Sequence, residues 1–273
     1  MPSLIADALF DLSKKTIVVI GGAGILGEIY CIALAQSGAT VIIGDFDSEK
    51  GGSLLERLRA ISDKRHYFMY VDLTDEFSII QFASNVHSKF DSIDVLINNA
   101  ASKSEGFFDP LESYTLKCWN EVMSVNLTSI FLTCREFGRF MAKNGVGSII
   151  NISSIYGLVG PDQRIYEGAR YDAVGGSINT PLVYSASKGA VVALTRYLAT
   201  YWGKNGVRSN CVTPGGVESG QNEEFVYNYS TRVPLGRMAQ KNELIGAIIY
   251  LSSDSSSYIN GHNLVIDGGW TSW

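Results

Sequence analysis

Short apolar runs of strand length alternate with helically spaced segments along almost the whole 273-residue chain, and this alternation constrains the fold more than any other feature. The strand-like runs cover 16–20, 40–44, 67–71, 95–98, 148–152, 207–212 and 263–266. Helical spacing covers 25–37, 48–61, 75–90, 116–143, 182–204 and 242–251. Runs this continuously apolar belong to strands buried on both faces, which means a parallel sheet with helices on either side. The expectation is an α/β fold, a doubly wound sheet of seven parallel strands, as a single domain over 1–273. No linker, repeat or low-complexity tract divides the chain. One stretch breaks the alternation: 155–181 holds five glycines, two prolines and five charged residues without a period. So long an aperiodic segment inside a compact domain is usually functional or disordered.

The first strand is followed by Gly21-Gly22-Ala23-Gly24-Ile25-Leu26-Gly27 and then a helix. Glycines allow a tight turn, a close backbone approach to phosphate and close helix–strand packing, and the helix N-terminus offers free N–H groups to a pyrophosphate. Taken alone, such a turn also serves purely structural ends. Asp45 strengthens the nucleotide reading, because it ends the second strand 18 residues after Gly27. A carboxylate there accepts both ribose hydroxyls of an adenosine and repels a 2′-phosphate, and no Arg or Lys lies in the loop or directly after Asp45. The expected cofactor is therefore NAD, in a Rossmann-like arrangement. The plainer alternative is a surface aspartate opening a turn.

Composition removes several classes. With 22 basic and 27 acidic residues the net charge is −5, and there is no basic stripe for nucleic acid. No window of about 18 apolar residues predicts a membrane span, and the first ten residues lack the basic and apolar regions of a secretion signal. Cys31, Cys118, Cys134 and Cys211 have no ligand spacing, so reduced buried thiols in a cytoplasmic protein are expected, without a metal site. His66, His87 and His262 are scattered and carry no expected role.

Further stretches make a family visible: Asn98-Asn99-Ala100, Asn151-Ile152-Ser153-Ser154, Tyr184-Ser185-Ala186-Ser187-Lys188, Pro214-Gly215 and Asp267-Gly268-Gly269. In order and with the glycine loop, they resemble the short-chain dehydrogenase/reductase family in its single-domain branch, over nearly the whole chain. The resemblance implies a catalytic set of Asn126, Ser154, Tyr184 and Lys188. Ser154 is preferred over Ser153, because two residues separate it from Gly157. It also implies cofactor contacts from Gly21, Gly24, Ile25, Leu26 and Gly27, from Asp45 and Phe46, and from Asp72 and Leu73 beside the adenine. Asn99 and Ala100 fall beside the adenosine ribose, Tyr184 and Lys188 beside the nicotinamide ribose, and Pro214, Gly215 and Val217 along the nicotinamide. Departures are Ile20 where Thr is usual, Ile25 and Ala101 where Gly is usual, and Val217-Glu218 where a Thr often stands.

Tyr184 and Lys188 are i and i+4 on a predicted helix, so they share a face. A free phenol has a pKa near 10. A cation about 4 Å away is worth roughly 4 kcal/mol at an effective dielectric of 20, enough to lower that value by up to about 3 units, and a positive nicotinamide adds in the same direction. Tyr184 is then the acid/base, Ser154 a donor to the substrate oxygen, and Asn126 the holder of a water relaying protons to Lys188. The Ser154–Tyr184 spacing of 30 residues is longer than the family's usual one, so 155–181 reads as an insertion on the substrate side. Arg164 and Arg170, with Tyr166 and Tyr171, are its candidate substrate ligands, and residues 221–229 a second wall. A solvated or subunit-contact loop is the plainer alternative.

The expected activity is hydride transfer between NAD(H) and a secondary alcohol or ketone of a sugar, sugar acid or polyol, in the manner of gluconate-type and surface-sugar pathway members. Two alternatives stand beside it: a 3-oxoacyl-thioester reductase, and a non-catalytic NAD-binding sensor or scaffold. Family members assemble through the helices here at 116–143 and 182–204, so a homotetramer or homodimer is expected, with Phe131, Phe137, Phe140, Trp202 and Trp270 as candidate contacts.

Overall fold

The computed structural model describes residues 5–171 and 176–273. Seven strands, β1 (Thr16–Ile20), β2 (Thr40–Asp45), β3 (Tyr67–Tyr70), β4 (Val95–Asn98), β5 (Gly147–Ile152), β8 (Val207–Pro214) and β9 (Asn263–Ile266), form one sheet. All pair in parallel, in the order β3-β2-β1-β4-β5-β8-β9. The order reverses between β1 and β4, and at such a switch point the carboxyl ends of the strands part to leave a crevice. The seven-stranded doubly wound sheet is as the apolar runs foretell.

Two apolar layers sandwich the sheet. On one face Val18, Ile20, Ile42 and Leu96 pack against α4 (Glu76–Lys89), α6 (Ser129–Asn144) and α7 (Leu182–Trp202). On the other, Ile17, Val19, Val41 and Ile43 meet α2 (Ile25–Gln36), α3 (Ser48–Ile61) and α9 (Ile245–Ser252). Successive strand residues thus serve opposite layers, which is why the runs are apolar without interruption. A short α1 (Ile5–Phe10) precedes β1.

The 116–143 segment is not one helix. It is α5 (Leu116–Met123) and α6, joined through a wider turn, Ser124–Thr128, with π-type bonding. Such bulges insert one residue into a helix without glycine or proline and tend to mark functional positions. Of the 155–181 segment, 172–175 lie outside the described residues; within the rest, β6 (Arg170–Tyr171) pairs antiparallel with β7 (Gly176–Ser177). Its Ile155, Ile165 and Ala169 share an apolar cluster with Phe225 and Tyr229 of α8 (Glu223–Ser230) and with Trp270.

Of the five aromatic residues expected at subunit contacts, Phe137 and Trp270 are core residues, and Phe140 and Trp202 pack against the core. Phe131 alone is exposed. Tyr197 and Tyr201 of α7, stacked at 5.7 Å, are also exposed. Among the described residues no helix is long and apolar enough to cross a membrane, and all four cysteines are buried and unpaired.

Candidate active site

A groove of about 670 Å³ opens at the carboxyl ends of β1 to β4. Its floor is the glycine loop. Gly21 has φ +71°, and a Cβ on it would lie 2.7 Å from Ala100 Cα, so this turn excludes other residues. A Cβ on Gly27 would run into the Gly21 carbonyl, so Gly27 serves helix packing and does not itself line the groove. Gly24, Ile25 and Leu26 do line it. Gly24 caps the twelve-residue α2 with no side-chain hydrogen bond to the first-turn N–H groups. An uncapped helix start behind a glycine cradle suits a pyrophosphate.

At the far end Asp45 is 7% exposed. It accepts N–H bonds from Ala23 (2.9 Å) and Asp47 (3.1 Å), which hold the carboxylate against the loop. Phe46, Asp72 and Leu73 line the same end. Asp72 accepts from Thr74 through one oxygen, at 2.8 and 2.7 Å. Lys50 also reaches this groove, paired with Asp47 at 2.9 Å. Phe46 and Asp47, directly after Asp45, carry no basic side chain, and the first turn of α3 brings Lys50 back to the groove.

The two asparagines after β4 divide their work. Asn99 and Ala100 line the groove, and Asn99 donates to the Gly21 carbonyl at 2.9 Å. Asn98 is buried, accepting from Thr133 and donating to Asn151, both at 2.8 Å, while Asn151 donates to Thr195 at 3.0 Å. This chain ties β4 and β5 to α6 and α7, so Asn98 and Asn151 are internal struts.

A second cavity, about 370 Å³, continues from the groove. Ser154, Tyr184 and Lys188 line it together, with Pro214, Gly215 and Val217 beyond them. Ser153 donates to the Lys188 carbonyl at 2.8 Å and is thereby spent on anchoring α7. Ser154 keeps its hydroxyl at the cavity wall, accepting only a 3.3 Å bond from the Tyr156 N–H. Asn126 sits in the π-type turn, fully buried. Its carboxamide accepts from the Ser102 N–H (2.9 Å) and donates to Ser187 (3.4 Å), the neighbour of Lys188. It does not border the cavity itself.

The electrostatics differ from the expectation. Burial holds the Tyr184 phenol above its ordinary value, and the facing Ser154 hydroxyl only partly offsets this. Lys188 is 2% exposed, donates to the Ile152 carbonyl at 2.9 Å and lies 5.7 Å from the Tyr184 ring centre. Burial pushes its ammonium down to about 8. Both groups therefore pay for desolvation, and the lysine alone does not make the phenol acidic. A cation bound in the groove is what would tip the balance.

The two arginines of the insertion are corrected. Arg164 folds back onto Asp162, with 2.8 Å bonds from both its Nε and a terminal nitrogen, and Arg232 reaches the same carboxylate at 3.2 Å. Arg170 has an exposed side chain, while its backbone N–H is held by Asn222 at 2.9 Å. Neither borders the cavity: both side chains are exposed, while Ile155, Ile165 and Ala169 of the same segment turn into the apolar cluster. Tyr166 and Tyr171 do border it. Tyr166 also bonds the Tyr156 hydroxyl at 2.9 Å and the Thr180 hydroxyl. Gln221, from the expected second wall, joins them. Missed from sequence were Tyr156, Asn179 and Lys103, which reach the cavity from aperiodic loops. Among the described residues no three His, Cys, Asp or Glu side chains converge as metal ligands.

A family model described as enoyl-(acyl carrier protein) reductase matches residues 23–271. A gluconate 5-dehydrogenase of Gluconobacter oxydans is 32% identical over 96% of this chain and 97% of its own length. The crystal structure of a Burkholderia cenocepacia gluconate 5-dehydrogenase in complex with NADP and tartrate superposes with a TM-score of 0.86 at 28% identity, covering 98% of this chain and 99% of that one. A Leptospira borgpetersenii short-chain dehydrogenase with bound NAD+ gives 0.83 at 31% identity, covering 99% and 97%.

Proposed function

Because the chain belongs to the short-chain dehydrogenase/reductase family and is thus an oxidoreductase acting on CH–OH groups, we propose that it moves hydride between NAD(H) and a secondary alcohol or ketone of a sugar, sugar acid or polyol. The observation carrying this reading is the convergence of Ser154, Tyr184 and Lys188 on one cavity that opens directly into the glycine-loop groove. The nicotinamide, when bound, takes up or gives hydride. The chain's own residues handle the proton and the orientation. Tyr184 exchanges a proton with the substrate oxygen at its phenolic hydroxyl, and Ser154 donates to that oxygen as charge develops. Lys188 supplies positive charge beneath the phenol, and its depressed value of about 8 leaves it mostly protonated at neutral pH. Asn126 acts through the π-type turn, aligning Ser102 on one side and Ser187 on the other.

The Asp45 carboxylate supports NAD over NADP, since a 2′-phosphate would meet a buried negative charge. The phenol, amide and hydroxyl groups of Tyr156, Tyr171, Asn179 and Gln221 in the wall support a hydroxyl-rich substrate. The exposed faces of α6 and α7, with Phe131, Tyr197 and Tyr201, support a homotetramer or homodimer. Four buried free thiols suit a cytoplasmic protein.

The test is a panel of aldonates, sugars and polyols assayed with NAD and NADP by absorbance of the reduced nicotinamide. NAD-linked turnover of a hydroxyl-rich substrate is expected. Turnover restricted to a 3-oxoacyl thioester with NADPH would replace this reading, and binding of NAD without any turnover would favour a sensor.

A further inference from the structure

We propose that Lys103 is the anion-recognising residue of the substrate cavity, and that it selects a carboxylate-bearing substrate over the corresponding neutral polyol. This deepens the function proposed above and rests on it.

Among the described residues that line the cavity, the only charged side chains are Lys103 and Lys188, and none is a carboxylate. Lys188 is at the buried end, with its ammonium committed to the Ile152 carbonyl. Lys103 stands at the mouth, where it borders both the cavity and the nucleotide groove. Its position is built. The preceding residue is fixed by the Ser102 N–H bond to Asn126 (2.9 Å), and the following one by the contact of the Ser104 hydroxyl with the Cys118 thiol (2.9 Å). The ammonium lies 4.7 Å from the Tyr171 ring centre and 5.6 Å from that of Phe108. Tyr171 belongs to the insertion, so that segment and the loop after β4 meet around this cation.

The neighbouring rings displace some water from the exposed Lys103 ammonium and lower it from its ordinary value. Its side chain is exposed at the junction of the cavity and the groove, where low-dielectric walls focus its field and an anion gains more than it would in open water. The ring faces attract the cation without taking its protons, and no side-chain hydrogen bond from its ammonium is present among the described residues. The anion role expected of Arg164 and Arg170 is thus filled by a residue from the opposite wall. A substrate whose hydroxyl carbon sits at Ser154 and Tyr184 would extend its acid group toward the mouth.

A phosphate of the dinucleotide is the other anion within reach of this position, and the experiment separates the two. D-gluconate and D-glucitol differ only at one terminal carbon, carboxylate against hydroxymethyl. Each is titrated calorimetrically into wild type, Lys103→Met and Lys103→Arg loaded with NADH, and NAD+ affinity is measured for all three. A charge-assisted hydrogen bond corresponds to a tenfold to hundredfold change in affinity, roughly. Gluconate should bind wild type and weaken by about that factor in Lys103→Met. Lys103→Arg should recover most of the loss, and glucitol and NAD+ should be unchanged. The arginine variant also reports on folding. The proposal is overturned if gluconate fails to bind wild type, if both ligands weaken equally, or if NAD+ affinity falls in parallel. Turnover of any secondary alcohol with NAD tests the parent reading separately. Were that to fail while gluconate binding still depended on Lys103, the anion site would stand without the activity.

Discussion

Replacing Lys188 by methionine is expected to stabilise the folded chain at neutral pH while abolishing turnover. The side chain is 2% exposed and its folded value is about 8 against an ordinary 10.5. At about 1.4 kcal/mol per unit, a difference of this size corresponds to roughly 3 kcal/mol spent on holding the ammonium in the interior. The sign follows from proton binding. Between pH 8 and 10.5 the unfolded chain holds more protons at this residue than the folded one, so stability rises with pH across that window and the full penalty applies below it. Methionine removes the charge at similar length but leaves the Ile152 carbonyl without its partner, at a cost of about 1 kcal/mol. The net gain at pH 7 is about 2 kcal/mol, or roughly 4–8 °C in melting temperature for a domain of this size. Urea and thermal unfolding of the unliganded proteins at pH 7 and pH 10 read both quantities. The Met variant should be the more stable at pH 7, with the gap closing as pH rises. A less stable Met variant, or a difference that does not change with pH, would refute the burial argument.

Ser154→Ala should lower kcat by at least tenfold with little change in melting temperature. Ser153→Ala should instead cost about 1 kcal/mol of stability by freeing the Lys188 carbonyl, and paired steady-state and melting measurements separate the two. Arg164→Ala and Arg170→Ala should leave KM unchanged for every substrate and stability within about 0.5 kcal/mol, since both side chains point away from the cavity. Asp45→Ala combined with Phe46→Arg should shift the NAD:NADP ratio of kcat/KM toward NADP by about tenfold to a hundredfold, corresponding to roughly 1–3 kcal/mol. An unchanged ratio would remove Asp45 as the selector.

Much of the sheet was legible because its strands are buried on both faces, and β-branched runs such as Thr16–Ile20 have few other stable uses. The groove was legible for a related reason: the glycine loop and Asp45 are local features of one strand–turn–helix unit. The π-type turn was not, since nothing in Ser124–Thr128 interrupts helical spacing. The α8 helix is not legible, because Glu223–Ser230 mixes charges and aromatics without a clean stripe. Arg164 was misjudged because its direction is decided by Asp162, two residues away, in an aperiodic segment. Lys103 escaped notice for the opposite reason: it acquires its setting from Phe108 and from Tyr171 on a distant hairpin. Spacing along a helix reveals the cation beside Tyr184 and not the burial of both groups, which in the unliganded protein holds the phenol above its ordinary value.

Whether the Tyr184 phenol carries the substrate proton is decided by Tyr184→Phe, with kcat and the NAD+ dissociation constant measured on the same preparation. Removing one hydroxyl from a half-buried ring should leave the groove intact, so NAD+ binding should stay within about twofold while kcat falls by roughly 10²–10⁴. A phenylalanine variant that keeps a tenth or more of wild-type turnover would contradict the claim.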